Sequence, residues 1–187
     1  LVAGNRDRIR DLDRGAKETW WRVLELIDTH DLYGSIAYPK HHEADEVPDI
    51  YRLAAKRHGV FVNAALTEPF GLTLIEAAAS GIPVVATNDG GPREILARCK
   101  NGLLVDPLDV EALGEALADA LSDRARWRKW QRAGLKGVER HFSWRAHVES
   151  YMNMVRQVTS RPKKRSRVYK PKGRLLTADR LIAVDID

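Results

Sequence analysis

Short apolar runs at residues 1–3, 35–38, 60–63, 83–86 and 103–105 alternate with stretches of helical periodicity, and this alternation constrains the fold more than any other feature of the chain. Runs of three or four largely apolar residues suit strands buried on both faces, and parallel strands need crossover helices between them. The pattern predicts an α/β fold built on a buried parallel sheet. Helices are expected over 17–30, with Trp20, Val23, Leu24 and Ile27 on one stripe, and over 50–57, 72–80 and 92–97. Gly59 and Gly81 follow the second and third as C-terminal caps, and Pro92 stands at the first position of the fourth. After Val105 the chain reads as three successive helices, 110–121, 124–141 and 144–158, with Asp109 and Ser143 as N-caps of the first and last.

A chain of 187 residues can bury one good core, whereas two full α/β domains usually need roughly 250 residues or more. Its positive charge is local. Eight basic residues and no acidic one lie between Arg161 and Arg174; without them acidic residues outnumber basic ones, 26 to 23. The folded body therefore gives no sign of a nucleic-acid-binding surface, and the tract reads as a solvated linker or an arm able to touch anions. Cys99 is the only cysteine, which excludes an internal disulfide and a thiolate zinc site and fits a reducing compartment. No apolar run approaches the ~18 residues of a membrane span, and the start lacks the shape of a signal peptide. A cytoplasmic protein with no membrane contact is expected.

The most informative segment is EPFGLTLIE at 68–76, two carboxylates seven residues apart across a loop-to-helix transition. Gly71 permits close backbone approach to a ligand, and a helix starting near Leu72 points unpaired N–H groups and its positive dipole end at the same spot. That is the outline of a phosphate site. Glu68, before the helix, can face a group at its mouth, while Glu76, about a turn inside, reaches a lateral one. Carboxylates accept strongly from hydroxyls such as those flanking the diphosphate of a nucleotide-sugar. Lys40, His41 and His42 follow the second expected strand at its C-terminal end, where ligands of open α/β sheets bind, and are candidates for contacting a base. Adjacent histidines usually point apart, so a metal is not expected there. Gly90 and Gly91 follow the fourth expected strand and read equally as site lining or as a plain turn.

Residues 68–76, followed by AAASGIPVVAT at 77–87 and GGP at 90–92, resemble the E-x7-E donor signature of the family 4 retaining glycosyltransferases. GNRD at 4–7, DLYG at 31–34, AYPKHH at 37–42, VPDIYRLAA at 47–55 and FSW at 142–144 are similar to the sucrose-phosphate synthase branch of that family. The resemblance implies the Rossmann-like C-terminal half of a GT-B fold. It implies UDP-glucose as donor substrate with no cofactor or metal, and fructose 6-phosphate as acceptor, held mostly by a separate N-terminal domain. It assigns Glu68 as the catalytic-site residue binding glucose hydroxyls. The N–H groups of Phe70, Gly71 and Leu72 would meet sugar and phosphate, with Thr73 assisting the phosphate and Glu76 binding ribose. The Arg and Lys that clamp the diphosphate in this family belong on a strand-loop upstream of Leu1, so the chain taken alone is expected to be inactive.

On this reading residues 1–159 are the nucleotide-sugar-binding domain lacking its first strand, 160–174 a basic linker, and 175–187 the start of a second domain. Residues 183–187, AVDID, resemble the opening of the haloacid-dehalogenase phosphatase motif, in which Asp185 and Asp187 would be nucleophile and general acid, inert here. The last helix, with Trp144, Tyr151, Met152 and Val155, resembles the GT-B segment that crosses back to the N-terminal domain, and its apolar surface is expected to be exposed or to drive self-association. Two other functions stay open: a family 4 transferase with another acceptor, such as a sucrose synthase-like enzyme, or a non-catalytic α/β module binding nucleotides or anions.

Overall fold

The structure, a computed structural model, describes residues 9–160. The expected strand at 1–3, the linker, and the segment carrying Asp185 and Asp187 lie outside the described residues. By internal contacts the chain divides into two units, one through His147 and one from Val148.

The first unit is organised on three parallel strands, β1 (Phe61–Asn63), β2 (Val84–Thr87) and β3 (Gly102–Val105), in the order β1-β2-β3. All four residues of the central β2 are buried, which is why that stretch is uninterruptedly apolar up to Thr87. Its side chains alternate between two cores. Val84 and Ala86 join Leu74, Ala77, Ile95, Leu96 and Cys99 on one side, and Val85 joins Val105, Ala116 and Ala120 on the other.

The helices follow from the same economy of burial. The N-cap of α1 (Arg14–Thr29) is Asp13, whose carboxylate accepts from the Ala16 N–H at 2.9 Å; Trp20 and Ile27 are its buried residues. Next comes α2 (Val47–Lys56), with Pro48 in its first turn. The crossovers α3 (Leu72–Ala79) and α4 (Gly91–Cys99) bury Leu74, Ala77, Ile95 and Cys99 against one face of the sheet. On the other face lies α5 (Val110–Ser122), capped by Asp109 as expected. The long α6 (Arg124–His141) packs on α3 and α4 at two glycines. A Cβ at Gly137 would stand 2.6 Å from Cys99 Cα, and one at Gly134 3.1 Å from Asn101 Cβ. Trp127 is buried and donates its indole N–H to the Gly59 carbonyl at 2.9 Å. The last helix, α7 (Trp144–Ser160), begins with Ser143 accepting from the Ala146 N–H and continues into the second unit, where it exposes Tyr151, Met152 and Met154.

Two expectations are corrected. Residues 35–38 are not a strand: half-buried Ile36 and Tyr38 alternate with exposed Ser35 and Ala37, and Tyr38 spends its ring on Trp20, 5.8 Å away, rather than on a sheet. Four residues with so little apolar area cannot match the burial of β2. Lys40 to His42 therefore follow an irregular segment, not a strand end. The left-handed residue closing α2 is His58 (φ 58°), not Gly59; the His58 ring gains an edge-on contact with Trp127 at 4.8 Å that stabilises the otherwise disfavoured conformation. Gly81 does take the left-handed position after α3, at φ 77°.

Candidate active site

Parallel strands bring their C-terminal ends to one edge, and the loops leaving β1 and β2 meet there. Asn63, the last residue of β1, turns the chain by accepting from the Ala65 N–H at 3.1 Å, and its amide donates to Glu68 Oε2 at 3.0 Å. The other carboxylate oxygen, Oε1, accepts from the Gly71 N–H at 2.9 Å and the Phe70 N–H at 3.3 Å. Glu68 is thus fixed by three donors. They hold its carboxyl below the usual carboxylate range, Gly71 contributing most and then Asn63, with partial desolvation opposing. It is an ionised, oriented acceptor at the mouth of α3.

Gly71, the N-cap of α3, has φ 78° and no side chain to cap the helix. Leu72 and Thr73 occupy the first helical positions, where an N–H has no carbonyl within the helix to bond. The N–H groups of Phe70 and Gly71 are engaged by Glu68, and helix geometry leaves those of Leu72 and Thr73 without a carbonyl in α3. Phe70 and Leu72 are exposed, 78% and 67%, and flank the helix tip.

Gly90 and Gly91 have a packing role. Gly90 adopts φ 67°, ψ −139°, a conformation almost confined to glycine, and a Cβ there would stand 2.2 Å from the Glu68 carbonyl oxygen. The Gly91 N–H donates to that same oxygen at 2.8 Å. A Cβ at Gly91 would stand 2.3 Å from the Phe70 carbonyl oxygen. The N-terminus of α4 is thereby pressed against the loop that carries Glu68, and the loop is held from both sides. Gly91→Ala is expected to force the 68–71 loop away, with a loss of about 1–3 kcal/mol of stability, which urea denaturation checks.

Glu76 is exposed, one turn inside α3, and Tyr51 of α2 directs its hydroxyl at Glu76 Oε2, 3.5 Å away. Between them opens a cavity of about 280 Å³ lined by Ala44, Val47, Pro48, Tyr51, Glu76, Ala79 and Ser80. Its size lies just below the range typical of whole small-molecule sites, roughly 300–1,000 Å³. That suits a nucleoside better than an entire nucleotide-sugar. Ala44 brings the 40–46 loop to this cavity, but Lys40 and His41 do not line it. His41 Nε2 instead lies 2.6 Å from Glu43 Oε1. Sequence reasoning missed Asn63 and Tyr51. A polar residue closing an apolar strand was the available signal for the first; nothing local marks the second. Among the described residues no group of three or more His, Cys, Asp or Glu side chains is placed to hold a metal ion. No described helix is long and apolar enough to cross a membrane.

The model of the family described as glycosyl transferases group 1 matches residues 15–137, a span holding the whole sheet, both glutamates and most of α6. The chain belongs to that family, and it is a glycosyltransferase donor domain with the α/β architecture of the GT-B fold. Within the family it is similar to sucrose-phosphate synthases. It is 55% identical to the probable sucrose-phosphate synthase 5 of Oryza sativa subsp. japonica over 83% of this chain and 15% of that protein. To sucrose-phosphate synthase 4 of Arabidopsis thaliana it is 48% identical over 99% of this chain and 18% of that protein. The chain therefore spans less than a fifth of the length of these relatives. Among solved structures, the sucrose-phosphate synthase of Thermosynechococcus elongatus matches with a TM-score of 0.67 and 31% identity over 85% of this chain and 38% of that one. The C-terminal domain of a glycosyl transferase group 1 family protein, LpcC, from Francisella tularensis matches with a TM-score of 0.63 and 25% identity, over 71% of this chain and 66% of that domain.

Proposed function

We propose that this domain binds UDP-glucose for a sucrose-phosphate synthase reaction, in which glucose passes with retained configuration to fructose 6-phosphate, giving sucrose 6-phosphate and UDP. The reading is carried by one arrangement: two carboxylates set around the amino-terminal turns of α3, one pinned at its mouth by three donors and one beside a nucleoside-sized cavity. The diphosphate lies at the N–H groups of Leu72 and Thr73, where the helix dipole favours negative charge. Glucose hydroxyls donate to Glu68, ribose hydroxyls donate to Glu76, and the base enters the cavity beyond. Lys40 and His41 approach the base only if their loop rearranges. The acceptor hydroxyl comes from a separate N-terminal domain, and the basic clamp on the diphosphate from the strand-loop that opens the donor domain upstream of Leu1. The similarity to named sucrose-phosphate synthases over most of this chain supports this choice of substrates.

Calorimetric titration of UDP and UDP-glucose, against the ADP and GDP forms, tests the reading. Tighter binding of the uridine forms that is weakened by Glu76→Ala is the expected result, and wild-type UDP affinity in Glu76→Ala would overturn the donor-site assignment. We further propose that residues 160–174 are a linker and 175–187 the start of a phosphatase-like domain. We place the protein in the cytoplasm, for which the free, buried Cys99 is permissive support. The exposed apolar residues of α7 are proposed to self-associate when unpartnered; light scattering showing a monomer at high concentration would refute this.

A further inference from the structure

Tyr51 lies outside the two-glutamate motif, on a different helix, yet it is built into both the core and the site. Its half-buried ring packs on the Phe61 ring of β1 with centroids 5.7 Å apart at 61° and belongs to the margin of the first core cluster. It also stands between two cavities, the one beside Glu76 and an apolar one of about 130 Å³ beneath α2 that shares Val47 with it. From this anchored ring the hydroxyl reaches Glu76 Oε2. Core filling accounts for the ring, since phenylalanine would serve as well; it does not account for a hydroxyl directed at the carboxylate.

We propose that Tyr51 is a positioning residue for the nucleotide, its hydroxyl restraining Glu76 Oε2 so that Oε1 is left to accept from the ribose hydroxyls. The proposal rests on the donor-site reading above. A glutamate on an exposed helix face has several free rotors, and ordering them opposes ligand binding. A phenol carried on a ring packed into the core removes part of that cost before the ligand arrives. The donor is secure: burial first, and the facing Glu76 carboxylate second, push the phenol up to about 12, so it keeps its proton at any working pH.

The test measures binding of UDP and of 2′,3′-dideoxy-UDP to the full-length protein, with Tyr51→Phe, Glu76→Gln and the double variant. Tyr51→Phe is expected to weaken UDP by about three- to tenfold, to leave dideoxy-UDP unchanged, and to cost nothing further in the Glu76→Gln background. The unfolding midpoint of Tyr51→Phe should match the wild type, because the ring remains. Equal weakening of both probes, or of neither, would show that Tyr51 has a packing role alone and overturn the proposal. Should Glu76→Gln itself fail to discriminate the two probes, ribose recognition by Glu76 falls, whatever Tyr51 does.

Discussion

Glu68→Ala in the full-length protein is expected to lower kcat/KM for glucose transfer by about two orders of magnitude. A charge-assisted hydrogen bond contributes about 1.5–3 kcal/mol, and each 1.36 kcal/mol at the transition state is about tenfold in rate. The deletion also frees the Asn63 amide and the Phe70 and Gly71 N–H groups, loosening the loop that presents α3. Glutamine is not a silent replacement, because both carboxylate oxygens accept from N–H donors and an amide nitrogen would confront one of them. A variant folded by circular dichroism that keeps wild-type kcat/KM would remove Glu68 from the reaction. The pH dependence has a definite sign. The Glu68 carboxyl is lowered in the folded state, so its stabilisation is complete above the ordinary glutamate range near pH ~4.3 and is lost as pH falls through the lowered folded value. Between pH 5 and 3 the wild type should lose more stability than Glu68→Ala, measured by urea denaturation at each pH.

Gly102→Ala is expected to be the most damaging single methyl addition to the sheet. Gly102 opens β3 opposite Val84 in the parallel ladder, and a Cβ there would stand 1.8 Å from the Val84 carbonyl oxygen and 2.7 Å from its carbonyl carbon. The obstacle is backbone rather than a movable side-chain end, and Val84 is fully buried with its N–H bonded to Asn101. Relief requires β3 to shift against β2. A loss of about 3 kcal/mol or more is expected, at the upper end for overpacking, out of a total stability on the order of 5–15 kcal/mol. The readout is the urea midpoint; an unchanged midpoint would mean that the strands part at little cost.

The fold was legible wherever burial is two-sided. Residues 83–86 read as a buried strand, one residue ahead of the observed β2, because both faces are occupied, and Asp109, Ser143 and Gly81 marked helix ends because caps are chosen by local geometry. Residues 35–38 misled because their alternation is that of a half-exposed segment, whose pairing depends on neighbours rather than on its own side chains. The site divides in the same way. Glu68 and Glu76 are singled out by their spacing around a helix start together with the residues around them, which resemble the donor signature. Tyr51 lies 25 residues before Glu76 and is brought to it only by the packing of α2 on the core, so no spacing rule reveals it. Gly90 and Gly91 were read as site or turn; the close approach to the 68–70 backbone shows why only glycine fits, a contact invisible in one dimension.

The tight seat of α6 on Cys99 has an experimental use. The sole thiol is sealed against Gly137, and burial pushes it up to about 11. Alkylating reagents consume thiolate, so in the native domain this sulfur should react extremely slowly at neutral pH. Its labelling rate, followed by mass spectrometry, becomes an intrinsic clock for the lifting of α6 from α3 and α4, with no engineered probe required.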